Sequence, residues 1–330
     1  MIFNLDIVMK NTTVVLDSNY PEDATVTAGQ DVTFKAVITD EGHPKEYTLQ
    51  WYVDGTAVPD ATGETYTRST SSDKGVLSVW CEASNKAGTA TTRHATLTVK
   101  KVPVLDANYP KNVSVKVGNS ATFEVKIAEA GYPDSYTYQW YVNWKPVSGA
   151  TASKYTRNAD SVGSEEICCV VANEAGSVQT RTAKLTIERE YILKNGVAVN
   201  NGFGWYATVP DTYVGFGDGT LNMGCDGLGY AVCHTTEYVN FIGKKKLVFH
   251  IKKMVTNSDV DVGAFYFGAG WSQKENELVA QSVVTAYDFE GDLYVTVDVS
   301  GLNNVYYVKF LCVRDCYYGD TIHVADIYFE

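Results

Sequence analysis

The side chains that could do chemistry in this chain are few and scattered. The histidines are His43, His94, His234, His250 and His323, and none stands in a pattern with a serine or cysteine nucleophile. There is no Gly-x-Ser-x-Gly elbow and no phosphate-cradling loop. His250 and His323 fall inside strand-like runs and read as hydrogen-bonded structural groups. Asp211, Asp218, Asp226 and Glu237 could in principle pair for glycoside hydrolysis, but a Gly/Asp-rich hairpin accounts for them better. Asp218-Gly219-Thr220-Leu221-Asn222 lacks the ligand spacing of an EF-hand loop. Cys225, Cys233, Cys312 and Cys316 lack the tight Cys-x-x-Cys knuckle of a structural zinc site. Three readings of them stand: a four-thiolate site, a disulfide, or separate reduced thiols. The expectation is no catalytic centre, no cofactor and no metal.

Aromatic residues are the better clue. Trp205, Tyr206, Tyr213, Trp271 and Tyr287 lie near Gly-rich or polar turns. Trp80 should face outward if its neighbour Cys81 faces in, and Trp144 stands where an otherwise matching turn carries Gly55. Rings beside Asp and Asn can stack on sugar faces. The competing reading is packing in a core or between domains.

These residues are positioned by a β-rich frame. Gln50-Trp51-Tyr52-Val53 returns as Gln139-Trp140-Tyr141-Val142, and the offset of 89 holds from Val15 and Val104 to Arg68 and Arg157. It becomes 88 at Asn85-Lys86-Ala87-Gly88 and Asn173-Glu174-Ala175-Gly176. Register, motifs and turn residues agree, which identifies a tandem duplication. Period-2 alternation recurs in Val32, Phe34, Ala36, Ile38 and in Ala121, Phe123, Val125, Ile127, as one buried and one wet face require. The expected inward sets are Leu49, Trp51, Val53 with Val79, Cys81, Ala83, and Tyr138, Trp140, Val142 with Ile167, Cys169, Val171. Trp51, Cys81, Trp140 and Cys169 are the expected core residues.

A mid-strand Trp packed on a later strand carrying Cys, followed by Asn-x-Ala-Gly, resembles the I-set-like immunoglobulin domains and their bacterial and bacteriophage relatives. The resemblance covers about residues 13–188. It departs from the family where Ala36 and Val125 replace the second Cys, so neither sandwich can make the usual inter-sheet bridge. Folding in a reducing compartment, on packing alone, is the expectation.

Residues 190–330 break the repeat but still read as all-β, in segments such as Lys246–Ile251, Leu293–Val299 and Ile322–Phe329. A jelly-roll-type sandwich is expected there. Tyr191-Ile192-Leu193-Lys194-Asn195-Gly196 followed by Gly204-Trp205, and the ending Ile327-Tyr328-Phe329-Glu330, resemble C-terminal domains of phage tail and virion proteins. The expected organisation is an arm or edge strand at 1–12, immunoglobulin-like domains at 13–100 and 101–188, and a C-terminal β-sandwich at 189–330. The links Lys100-Lys101-Val102 and Glu188-Arg189-Glu190 are not Gly/Ser-rich, so a semi-rigid rod is expected.

A formal net charge of −12 disfavours a nucleic-acid partner, and the run Lys244-Lys245-Lys246 reads as a solvated turn. No stretch is apolar for long enough to insert in a membrane as a helix, and the first ten residues lack a basic n-region, so they do not read as a signal peptide. The resemblances imply a non-enzymatic structural protein of a phage virion surface, whether tail, fibre or decoration, made in the host cytoplasm. They imply other virion proteins as partners, several copies per particle or a homo-oligomer, and a C-terminal domain for host-surface glycan. The alternatives are a purely architectural virion subunit and a carbohydrate-binding module of a bacterial surface enzyme system.

Overall fold

The computed structural model describes residues 10–199, 202–207, 213–225, 230–255, 264–273, 277–285, 287–313 and 320–330. Residues 1–9 of the expected N-terminal arm, Asp211, Asp226 and Cys316 lie outside them. The described residues form strands and turns with no helix.

The first repeat runs β1 (Val15–Leu16), β2 (Ala24–Thr27), β3 (Asp31–Lys35), β4 (Ile38–Asp40), β5 (Thr48–Val53), β6 (Thr56–Ala57), β7 (Thr65–Ser69), β8 (Gly75–Asn85), β9 (Gly88–Thr91) and β10 (Ala95–Lys100). The second follows it element by element: β11 (Val104–Leu105), β12 (Val113–Lys116), β13 (Ser120–Glu124), β14 (Ile127–Glu129), β15 (Thr137–Val142), β16 (Lys145–Pro146), β17 (Lys154–Asn158), β18 (Gly163–Asn173), β19 (Gly176–Gln179) and β20 (Ala183–Glu188). The larger sheets have the orders β2-β10-β8-β5-β6 and β12-β20-β18-β15-β16, with β9 and β19 on β8 and β18. Short pairs β3-β7 and β13-β17 supply the opposing layer. In both copies one pairing is parallel, β2 with β10 and β12 with β20.

Two compact units result, and their boundary cuts through the second sandwich. The first comprises 1–110, 124–154 and 167–182; the second comprises 111–123, 155–166 and 183–330. In the first unit Trp51 is fully buried and paired across the sheet with Cys81. Its indole N–H donates to the Gly63 carbonyl at 2.9 Å. Trp140 repeats this, opposite Cys169, with a bond to the Ala152 carbonyl at 2.8 Å. An aromatic side chain of this size buries about 200 Å², worth roughly 5 kcal/mol, provided its polar N–H finds a partner. The amide N–H groups of Cys81 and Cys169 each donate to a threonine hydroxyl, Thr92 and Thr180, both at 3.0 Å. Both thiols are buried and free. Burial pushes the Cys81 thiol up to about 11 and the Cys169 thiol up to about 12.

In the second unit, β12, β13, β17 and β20 of the second repeat run on into a third body. Its strands are β21 (Glu190–Lys194), β22 (Val197–Ala198), β23 (Phe203–Ala207), β24 (Tyr213–Gly217), β25 (Thr220–Cys225), β26 (Tyr230–Thr235), β27 (Val239–Asn240), β28 (Lys246–Val255), β29 (Ala264–Gly270), β30 (Ala280–Thr285), β31 (Phe289–Asp298), β32 (Val305–Val313) and β33 (Asp320–Phe329). They make a two-layer antiparallel sandwich. One layer centres on β33, with β28 and then β31 on one side; on the other, β25 lies along its first half and β21 along its last residues. The other layer is β23-β26-β32-β29-β30, with β27 at the start of β32. The layers meet through aromatic rings: Phe249 lies 5.1 Å from Phe267, and Phe241 lies 5.0 Å edge-on to Phe329.

The link at 188–190 is short, with Arg189 alone between β20 and β21. Each of its residues is ion-paired: Glu188 with Lys116, Arg189 with Glu330, and Glu190 with Lys244. One reading of the sequence changes here: the lysine run is not a solvated turn. Lys244 is 6% exposed, and its ammonium also donates to the Val117 carbonyl at 2.9 Å. Lys245 pairs with Asp160 at 2.7 Å. Charge runs signal solvent only when no buried acceptor waits for one of the charges.

Candidate functional site

The start of β32 gathers aromatic side chains. Its Tyr306 pairs with Val239 of β27, and Tyr307 with Gly270, the last residue of β29. Successive strand residues point to opposite faces, so the two tyrosines look opposite ways. Tyr306 is buried, edge-on to Phe241 at 5.4 Å, and Trp271 packs on it at 4.3 Å. Tyr307 is capped by Tyr238, stacked at 4.3 Å. The Tyr238 hydroxyl reaches the Trp271 carbonyl at 3.5 Å, which links the two pairs. Trp271 is 48% exposed and Tyr238 is 50% exposed. Gln273 donates to the Thr236 carbonyl at 2.9 Å and holds the two loops side by side. The corner therefore offers two half-exposed rings, Trp271 on the buried Tyr306 and Tyr238 on the partly buried Tyr307, beside the Gln273–Thr236 bond. Rings so supported lose little conformational freedom when a flat apolar surface lies against them.

Of the aromatics expected from the sequence, Trp271 belongs to this corner, and Tyr213, Tyr287, Trp80 and Trp144 have other surroundings. Tyr213 is exposed on β24, at an outer strand of the other sheet, and its ring lies over Gly224 where no Cβ could stand. Tyr287 is exposed and edge-on to Phe289 at 5.9 Å. Trp205 and Tyr206 lie in β23 opposite Cys233 and Val232, and their side chains are outside what is described. Trp80 and Trp144 belong to the first unit. Trp80 stacks on Tyr52 at 5.5 Å and on His94 at 4.1 Å, so its ring is already engaged. Trp144 is 60% exposed in the turn after β15, at a φ of 64°. Tyr238, Tyr306 and Tyr307 were not singled out from the sequence. The adjacent pair Tyr306-Tyr307 at a strand start was the available signal, but its partners come from two distant loops.

His250 has the most elaborate polar surroundings in the chain's described part. Its Nδ1 lies 2.8 Å from Asp326 Oδ2 and its Nε2 2.6 Å from Asp292 Oδ1, with Tyr294 stacked on the ring at 4.4 Å. Asp326 also accepts the Asn195 amide, and Asp292 the Lys252 ammonium. The hydrogen bond from Lys252, and then that from His250, hold the Asp292 carboxyl below the usual range. A catalytic triad needs one ring nitrogen free to take a proton from a nucleophile. Here both nitrogens are spent on carboxylates, so the cluster ties β28, β31 and β33 together. Cys233 is fully buried, and burial raises its thiol strongly; the side chains of Cys225 and Cys312 are outside what is described. Among the described residues no three His, Cys, Asp or Glu side chains are placed to hold a metal.

No protein-family model matches the chain. A highly immunogenic outer capsid protein of Enterobacteria phage T4 is 32% identical over 173 residues, 48% of this chain and 45% of that protein. Endoglucanase C of Cellulomonas fimi is 29% identical over 180 residues, 51% of this chain and 16% of that protein. The chain thus spans less than half the length of either curated relative. A three-domain immunoglobulin structure, titin I67–I69, covers 68% of this chain and 93% of its own at 17% identity, with a TM-score of 0.43. The chain is an all-β protein of several sandwiches, similar over about half its length to a phage outer capsid protein.

Proposed function

We propose that this chain is a non-enzymatic structural protein of a phage virion surface. The immunoglobulin-like sandwiches act as spacers, and the C-terminal sandwich, jelly-roll-like in this reading, attaches to host-surface glycan. The observation that carries the virion assignment is the 32% identity to the T4 outer capsid protein. The attachment half rests on the half-exposed Trp271 and Tyr238 at one corner. Many copies on one particle, held by other virion proteins, turn weak single contacts into firm attachment through effective concentration. Immunogold labelling of purified particles tests the assignment. Regular surface labelling is expected, and particles free of the chain would overturn it.

The similarity to the endoglucanase favours a second reading, a binding module in a bacterial surface enzyme system. The same labelling separates the two, because that reading places the chain on the bacterium and not on the particle.

A further inference from the structure

A cleft of about 460 Å³ opens within the second compact unit, lined by Gly118, Asn119, Ser120, Asn158, Ala159, Asp160, Asn240, Ile242 and Gly243. Its walls are built rather than accidental. On one side the Gly118 and Ala159 amides donate to the carbonyls of Ala159 and Asn119, both at 2.8 Å, zipping two turns together. On the other, the turn 240–243 is closed by the Ile242 amide on Asn240 Oδ1 at 2.9 Å. The two sides are locked where Gly118 meets Gly243. Both have positive φ, and a Cβ on Gly118 would come 3.0 Å from the Gly243 carbonyl oxygen. Lys244 on Val117 and Lys245 on Asp160 bolt the joint.

The chemistry of the lining selects its ligand. No basic side chain lines the cleft, and the nearest ammonium groups are already engaged, which argues against phosphate or a carboxylated sugar. A cation would find one carboxylate, Asp160, and that one is already paired with Lys245. What remains are three carboxamides, a serine hydroxyl and one exposed apolar side chain, Ile242. Among the described residues no hydrogen bond uses the side-chain carboxamides of Asn119 and Asn158 or the hydroxyl of Ser120. Carboxamides both donate and accept, as vicinal hydroxyls do, and Ile242 supplies a face for ring C–H groups. The volume falls in the range of small-molecule sites, roughly 300–1,000 Å³.

The cleft also adjoins the aromatic corner. Val239 and Phe241 point inward and are buried, while Tyr238 and Asn240 are exposed. Tyr238 immediately precedes β27 and Asn240 ends it, with only the buried Val239 between them, so the two exposed residues bring the corner and the cleft next to each other.

We propose that the cleft is a second subsite of the attachment surface, binding a neutral, hydroxyl-rich sugar unit while the ring at the corner stacks on its neighbour. This rests on the attachment reading above and names its ligand class. The test uses the full chain and three probes: a β-1,4-linked glucose hexamer, its N-acetylglucosamine counterpart, and a sialylated tetrasaccharide. Binding is measured by calorimetry for the native chain, for Asn119→Ala/Asn158→Ala, for Ile242→Arg and for Trp271→Ala, with thermal melting as the control for folding. A neutral probe should bind, the two cleft variants should weaken it at least fivefold, and melting should stay unchanged. A neutral probe bound equally well by both cleft variants overturns the cleft, as does binding of the sialylated probe alone. Trp271→Ala separates the two ideas. If it abolishes binding that the cleft variants leave intact, the attachment reading stands and the cleft fails; if no probe binds at all, both fail.

Discussion

The ammonium of Lys244 donates to the backbone carbonyl of Val117 at 2.9 Å, 127 residues away in sequence, while also pairing with Glu190. One buried cation thus ties a turn of the second repeat to the first strand of the C-terminal sandwich, inside a single compact unit. Removing it leaves a carbonyl and a carboxylate without their donor. Lys244→Ala should cost about 2 kcal/mol in chemical denaturation, below the roughly 3–5 kcal/mol of a fully buried pair because Glu190 is partly exposed. Lys245→Ala breaks an exposed pair and should cost less than about 1 kcal/mol. Equal effects from the two would contradict the account.

Trp51 and Trp140 should each hold their own sandwich. Trp51→Ala or Trp140→Ala removes a fully buried indole and strands the carbonyl of Gly63 or Ala152. The expected cost is about 3–5 kcal/mol, enough to unfold the sandwich concerned. Differential scanning calorimetry should show one transition lost or moved far down, and a melting profile like the native one would refute the claim.

A bidentate ion pair recurs in both repeats by different means. Arg68 forks onto Asp73 at 2.7 and 2.8 Å, and Arg157 onto Glu165 at 2.8 and 2.7 Å. The acid comes from the turn in the first repeat and from β18 itself in the second. In each pair the charge of the acid partner, through its hydrogen bond, raises the arginine further. Arg157→Lys keeps the charge but loses the fork, and should destabilise by about 1 kcal/mol in urea titration. A lysine variant as stable as the native chain would show that charge alone matters.

Acid should weaken the C-terminal sandwich through His234. Burial pulls this imidazole below its ordinary value, with the Lys309 ammonium acting the same way. A group depressed in the folded state contributes stability above the unfolded value, near 6.5, which is lost as pH falls through the folded value. Denaturation midpoints should therefore drop below pH 6.5 in the native chain and less steeply in His234→Gln. Identical slopes would remove His234 from the explanation.

The thiols of Cys81 and Cys169, pushed up to about 11 and about 12, should be almost wholly protonated at pH 8. Peptide mapping after iodoacetamide should find both unmodified in the native chain and modified in denaturant. Rapid native labelling would mean that the sandwiches open.

Much of the frame could be read from residue order alone. The spacing of Trp51 to Trp140 and of Asn85 to Asn173 identified the duplication, and alternation along 32–38 gave the inward face. Those signals are local, because a strand's period of two is written in its own residues. The parallel closing strands were not legible, since β2 and β10 lie some seventy residues apart. The aromatic corner was half legible: Trp271 was one of five aromatics marked by nearby Gly-rich or polar turns, but Tyr238, Tyr306 and Tyr307 gain meaning only from contact.

The sequence by itself determined that the chain is all-β, twice repeated, and without the usual bridge between sheets, because composition, period and a missing Cys at Ala36 and Val125 are properties of order. Tertiary structure decided what the charges and rings do. Lys244 looked like solvent's residue until Val117 and Glu190 were brought to it, and the cleft beside Asn240 exists only where two distant glycines touch. Burial and partnership depend on which segments meet in space, and local pattern carries no record of that meeting.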